Sequence, residues 1–138
     1  MQKLKIVGGK KLTGEIPISG AKNSAVALIP AAILCDEETN ILNIPEISDR
    51  DDLIEIMTLL GAEINSHGEK MTINSSHVQN KEIKEELTTR LRASYYFMGA
   101  LLGRFKHVEI YFPGGCQIGQ RKIDYHLKGF QAMGATIT

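Results

Sequence analysis

The chain has 138 residues, one domain's worth and enough to bury a sizeable core. Its 43% hydrophobic and 23% charged residues suit a globular protein. Sixteen basic residues balance sixteen acidic ones, which removes the case for nucleic acid or an anionic membrane as partner. Cys35 and Cys116 have no CxxC or metal-ligand spacing and suit a reducing cytoplasm better than a disulfide scaffold. No run reaches transmembrane length, and the first residues carry no signal-peptide core. The expectation is a soluble cytoplasmic α/β domain.

In chain order, residues 4–7 and 14–19 read as strands, with Leu4 and Ile6, then Ile16 and Ile18, alternating. The intervening Gly8-Gly9-Lys10-Lys11 lacks the ending of a phosphate loop and reads as a turn. Ser19-Gly20-Ala21-Lys22-Asn23-Ser24 leads into an apolar helix, which puts Lys22 and Asn23 in a first turn whose free N–H groups favour an anion. Pro30 is expected to kink or break that helix. Residues 39–44 read as a strand ending at Pro45. Ser48-Asp49-Arg50-Asp51 reads as an N-cap region before a helix that Gly61 closes. Residues 62–66 and 71–74 follow as a hairpin turning at Gly68. Residues 75–81 are polar and read as a linker, and 82–103 as one long helix. Residues 107–112 then read as a strand stopped by Pro113, and Tyr125, Leu127, Phe130 and Met133 mark a last helix capped by Gly134. Residues 135–138 begin a final strand.

Between that strand and the last helix lies Pro113-Gly114-Gly115-Cys116-Gln117-Ile118-Gly119-Gln120-Arg121. Glycines allow close approach to a ligand, and a thiol on a loop beside a cation is set up for reactivity. The same residues read equally as a tight turn with a small apolar anchor. Cys35, Met57, Met71, Met98 and Met133 are expected in the core, Arg90 in solvent, and Asp51 and Asp52 as helix-start charges. The four histidines have no metal-ligand spacing, so no metal or cofactor is expected.

The order of elements occurs twice. Ile44-Pro45 matches Phe112-Pro113, 68 residues on, whereas Leu60-Gly61-Ala62-Glu63-Ile64 matches Met133-Gly134-Ala135-Thr136-Ile137, 73 residues on. The second unit is longer just after its proline, where the Gly-Gly-Cys segment falls, and loops on a repeated scaffold carry sites. The units are read as about 12–75 and 82–138. Thr138 corresponds to Asn65, inside the first unit's hairpin, so the second unit is read as an incomplete repeat, with the remainder of the protein absent. Its exposed apolar faces are expected to favour self-association.

Ile18-Ser19-Gly20-Ala21-Lys22-Asn23, Leu91-Arg92-Ala93-Ser94 and Pro113-Gly114-Gly115-Cys116-Gln117-Ile118-Gly119 stand in this order, with Arg121 and Asp124-Tyr125-His126 following. Together they resemble the UDP-N-acetylglucosamine 1-carboxyvinyltransferase (MurA) family of enolpyruvyl transferases, from Lys11 to Thr138. The resemblance implies an inside-out α/β barrel fold with two domains of βαβαββ repeats and a chain about three times this length. It implies transfer of the enolpyruvyl group of phosphoenolpyruvate to the 3-hydroxyl of UDP-N-acetylglucosamine, releasing phosphate, in bacterial cell-wall peptidoglycan synthesis. By the same resemblance, Cys116 is the general acid and the target of fosfomycin. Lys22, Asn23 and Arg121 hold phosphoenolpyruvate. Arg92, Arg121, Lys122, Ile123, Asp124 and Tyr125 hold the sugar nucleotide. Lys122, Tyr125 and Tyr96 stand where the family usually has proline, leucine or glutamine, and tryptophan.

The family's sugar-hydroxyl base and a further phosphoenolpyruvate arginine belong to later sequence, so the 138 residues alone are expected to be inactive. Three other readings stay open: the sister shikimate 3-phosphate enolpyruvyl transferase, a sugar-nucleotide-binding module, and a structural fragment without turnover. Ser19-Gly20-Ala21-Lys22 also fits the S-x-x-K of penicillin-recognising hydrolases, but their other motifs do not follow.

Overall fold

The computed structural model describes residues 3–111 and 122–138. Its elements are α1 (Lys22–Ala31), β1 (Thr39–Ile41), α2 (Ser48–Leu60), β2 (Glu63–His67), β3 (Lys70–Asn74), α3 (Glu85–Arg90), α4 (Tyr95–Phe105) and α5 (Asp124–Ala132). The sheet has order β1-β3-β2 and is antiparallel throughout, with Asn40 opposite Thr72 and Asn65 opposite Thr72 from the other side. Met71 and Ile73 of the central strand are buried, and their neighbours are not, which is the alternation of a strand covered on one face.

One core runs through this half. Ile29 and Ile33, Leu53, Ile56, Met57 and Leu60 of α2, Met71 and Ile73, and Phe97 and Leu101 of α4 are all fully buried. The α2 stripe at 53, 56, 57 and 60 has helical spacing. Gly61 ends α2 at φ 105°, and Gly61 and Ala62 donate to Thr58 and Met57. Gly68 turns the following hairpin at φ 55°. Each matches its sequence expectation.

Several expectations are corrected. Residues 3–21 form no strand among the described residues, and Leu4, Ile6, Ile16 and Ile18 are all exposed: alternation supplies a face, but no neighbouring strand pairs with it. Pro30 does not break α1, because it falls one residue before the end, where the helix passes into a 3-10 turn at Ala32–Leu34. Strand β1 stops at Ile41, and Asn43 turns the chain at φ 57°. The N-cap of α2 is Ile47, without a side-chain cap. Residues 75–81 are no free linker. Ser75 and Val78 are buried, and Gln79 donates to the Leu60 carbonyl at 2.8 Å.

The expected long helix is broken at Leu91, which is extended at φ −116°, ψ 111°. Thr88 and Thr89 both donate their hydroxyls to the Glu85 carbonyl, a contact that weakens a helix from within. A 3-10 turn at Arg92–Ser94 follows, and the buried Ser94 hydroxyl donates to the Thr88 carbonyl at 3.1 Å.

The second half differs from the first. Within residues 107–111 the ladder is a single parallel bridge between Ile110 and Ile83, and 135–138 are not a strand. Helix α5 forms as expected and Gly134 follows at φ 96°, but no residue of α5 is buried. Cys35 and Met133 are exposed rather than in the core: each lies just past the end of its helical segment, and α5 buries none of its own residues. No described helix is long and apolar enough to cross a membrane.

Candidate functional site

Two sets of predicted site residues are assembled within the described structure. The first sits at the start of α1. Gly20 passes so close to Asn43 that a Cβ there would overlap the Asn43 carbonyl oxygen. Only glycine permits that approach, and it fixes how the chain enters α1. Ala21 accepts from Ser24 and Ala25 as the helix begins, which leaves Lys22 and Asn23 in the first turn. Lys22 does not stand free. Its Nζ lies 2.8 Å from both carboxylate oxygens of Asp49, at the start of α2.

Asp49 is the residue that sequence reasoning missed. Read only as part of an N-cap region, it also bridges to a lysine 27 positions earlier. Nothing in local spacing signals such a pair. Arg90 is exposed, as expected, and it too is paired. Its Nε binds Asp52 at 2.9 Å and its terminal nitrogen binds Glu55. The Glu55 hydrogen bond leads in holding this guanidinium's pKa above its ordinary value, helped by Asp52. Asp49, Asp52 and Glu55 are spaced by three along α2 and therefore share a face. That face grips Lys22 at one end and Arg90 at the other.

The second set gathers around the break at Leu91. Because the helix is interrupted, Arg92 leaves the register of Arg90, and its charge is felt at the Tyr95 phenol. Tyr95 stacks on Tyr96 with ring centres 4.4 Å apart, and His126 lies 5.1 Å from Tyr95. Burial, then the Tyr96 hydrogen bond, raises the Tyr95 pKa, while the Arg92 charge opposes the rise. The Tyr95–His126 contact joins the start of α4 to the start of α5, where Asp124 is the first helical residue. Ile123 is buried, whereas Lys122, Asp124 and Tyr125 face water. An acid at the first position suits the α5 dipole. Cys116 and Arg121 lie outside the described residues. No cluster of metal-ligating side chains occurs among those described.

Chemically, the first set offers a cation and an amide beside open helix N–H groups, suited to an anionic group. The second offers an arginine, stacked aromatic faces and a carboxylate, suited to a larger polar ligand with a planar ring.

Comparison with known proteins gives these sets a context. The sequence profile of EPSP synthase (3-phosphoshikimate 1-carboxyvinyltransferase) matches residues 6–138. A UDP-N-acetylglucosamine 1-carboxyvinyltransferase 2 of Streptococcus pyogenes serotype M3 is 51% identical over the whole chain, which spans 33% of that protein. One from Oceanobacillus iheyensis is 50% identical and spanned to 32%. A UDP-N-acetylglucosamine 1-carboxyvinyltransferase 1 of Streptococcus agalactiae is 49% identical and spanned to 33%. The chain thus spans about a third of the length of these relatives. Among solved structures, the enolpyruvyl transferase NikO from Streptomyces tendae matches with TM-score 0.62 and 32% identity, covering 71% of this chain and 23% of its own. The mixed helices and small antiparallel sheet are therefore part of an enolpyruvyl transferase fold. The chain belongs to the EPSP synthase (3-phosphoshikimate 1-carboxyvinyltransferase) family and is a homologue of the UDP-N-acetylglucosamine 1-carboxyvinyltransferases within it.

Proposed function

We propose that the chain carries part of the site of a UDP-N-acetylglucosamine 1-carboxyvinyltransferase. The units at about 12–75 and 82–138 correspond to its first βαβαββ repeat and to part of the second, within an inside-out α/β barrel. The observation that carries this reading is identity near 50% across all 138 residues to proteins of that name.

In the reaction, the sugar 3-hydroxyl gives up its proton to a base that these 138 residues do not supply. Its oxygen bonds to C2 of phosphoenolpyruvate while C3 gains a proton. C3 then loses a proton as the C2–O bond to phosphate breaks, leaving the enol ether and inorganic phosphate. Lys22, Asn23 and Arg121 hold the phosphate and carboxylate of phosphoenolpyruvate, where charge-assisted hydrogen bonds are strongest. Cys116 supplies the proton to C3 as a positioned general acid. Arg92 and residues 122–125 receive the uridine diphosphate end, with the α5 N–H groups favouring its negative charge. The 138 residues alone are not expected to turn over.

Calorimetry with UDP-N-acetylglucosamine and intact mass after fosfomycin treatment test the reading. Binding of the sugar nucleotide, with an adduct abolished by Cys116→Ala, is the expected result. Preferential binding of shikimate 3-phosphate would overturn the substrate, and neither binding nor adduct would overturn the site.

A further inference from the structure

Arg90 and Arg92 stand on either side of Leu91, and the fold treats them differently. Arg90 is the last residue of α3, and its guanidinium reaches across to α2. There its Nε meets Asp52 at 2.9 Å and a terminal nitrogen meets Glu55. Asp52 and Glu55 are three apart and so are neighbours on one helix face. A guanidinium is a planar fork of donors, which lets one arginine engage two carboxylates along two edges, whereas a lysine ammonium has no such fork. Arg92 opens the 3-10 turn after the break and forms no ion pair among the described residues.

Folding stability does not account for this clamp. The side chains of Arg90, Asp52 and Glu55 are 49%, 25% and 55% exposed, and exposed ion pairs contribute little to stability. Its place in the chain is more telling. Leu91, between the two arginines, is buried and extended. The backbone that bears Arg92 is therefore fixed before it by the Leu91 side chain and the Arg90 clamp. After it, the buried Ser94 hydroxyl donates to the Thr88 carbonyl. The clamp is the part of this arrangement that ties the turn to a charged face of another helix.

The clamp also sorts the two cations. Guanidiniums two positions apart would compete for one anion and repel each other. With two carboxylates on Arg90, Arg92 is the cation that the turn presents, and its charge is the one felt at the Tyr95 phenol.

We infer that Asp52 and Glu55 are positioning residues for the sugar-nucleotide site. Acting through Arg90, they hold Arg92 where it meets the diphosphate of the ligand, and they keep Arg90 from competing for it. This rests on Arg92 being the arginine of that site, and neither carboxylate touches the ligand.

The sign of one measurement separates positioning from plain electrostatics. Asp52→Asn combined with Glu55→Gln removes two negative charges near a site for an anion, so charge alone would tighten binding of UDP-N-acetylglucosamine. Positioning requires the reverse. Calorimetry on the 138-residue chain should show binding roughly 3- to 10-fold weaker, the size of coupling within one charge network. Arg90→Lys keeps the charge, loses the fork and should weaken binding in the same way. Asp51→Asn removes a charge from the same helix outside the clamp and should not weaken it. Relaxation of the Arg92 Nε–H resonance gives a reading that needs no ligand. Its order parameter should fall in the double variant and hold in Asp51→Asn. Equal or tighter binding in the double variant would overturn the inference, and so would an Arg92 order parameter that the double variant leaves unchanged. A lowered order parameter in a chain that binds no UDP-N-acetylglucosamine would support the clamp on Arg92 and overturn the substrate reading instead.

Discussion

Ser94→Ala tests whether the break in the expected long helix is held by the bond seen there. The Ser94 hydroxyl is fully buried and donates to the Thr88 carbonyl at 3.1 Å. Removing it forfeits a hydrogen bond of about 1 kcal/mol net and leaves a carbonyl short of a partner, for a total of about 1–3 kcal/mol. Alanine's better helix propensity returns about 0.5 kcal/mol. The net loss is therefore about 1–2 kcal/mol, and with a urea slope of about 2 kcal/mol/M the midpoint falls by about 0.5–1 M. Far-UV circular dichroism through a urea titration measures this. A second readout is local: the Tyr95 phenol, one residue on, should titrate closer to the ordinary tyrosine range as its burial relaxes. An unchanged urea midpoint together with an unchanged Tyr95 titration would refute the reasoning, since the break would then persist without its bond.

Other expectations follow from the same geometry. Gly61→Ala places a Cβ 2.7 Å from the His77 carbonyl oxygen at φ 105°, and should cost about 2–4 kcal/mol in a urea titration. Asp49→Asn keeps an acceptor for Lys22 but removes a charge that repels anions. Stability should change by less than about 1 kcal/mol, because the pair is partly exposed, with side-chain exposures of 55% and 23%. Phosphoenolpyruvate binding, followed through the Lys22 amide resonance, should tighten a few-fold, and Asp49→Ala should tighten it less because Lys22 loses its anchor. The raised Tyr95 pKa means that the folded chain favours the neutral phenol. That contribution is complete below the unfolded tyrosine value near 10 and disappears as pH rises through the folded value. Tyr95→Phe should flatten the stability decline over that alkaline window, with absorbance at 295 nm reporting the phenolate.

What the sequence made legible was local. The α2 stripe, Gly61 after it, the Gly68 hairpin and the Lys22-Asn23 first turn all follow from spacing and glycine chemistry within a few residues, and the structure has them. What it hid depends on partners far along the chain. Residues 4–7 and 14–19 alternate as a strand does, yet alternation does not supply the neighbour that makes a ladder. Thr88 and Ser94 looked like ordinary helix residues, because a break stabilised by a bond across six positions has no local signature. The ion pairs of Lys22 with Asp49 and of Arg90 with Asp52 and Glu55 were hidden for the same reason: charges on separate elements meet only after packing. The proposed site is read from motifs, and Cys116 and Arg121 rest on that reading alone because they lie outside the described residues.

The face of α2 that carries Asp49, Asp52 and Glu55 has a mechanical consequence. Six residues of helix separate its ends by about 9 Å, a fixed length. Lys22 comes from before that helix in sequence, and Arg90 from after it, yet both are tied to the same rigid rod. A translation of α2 along its axis is therefore delivered to the two cations together and by the same amount. An anion that drew Lys22 toward itself would tug, through α2, on the stretch just ahead of Arg92.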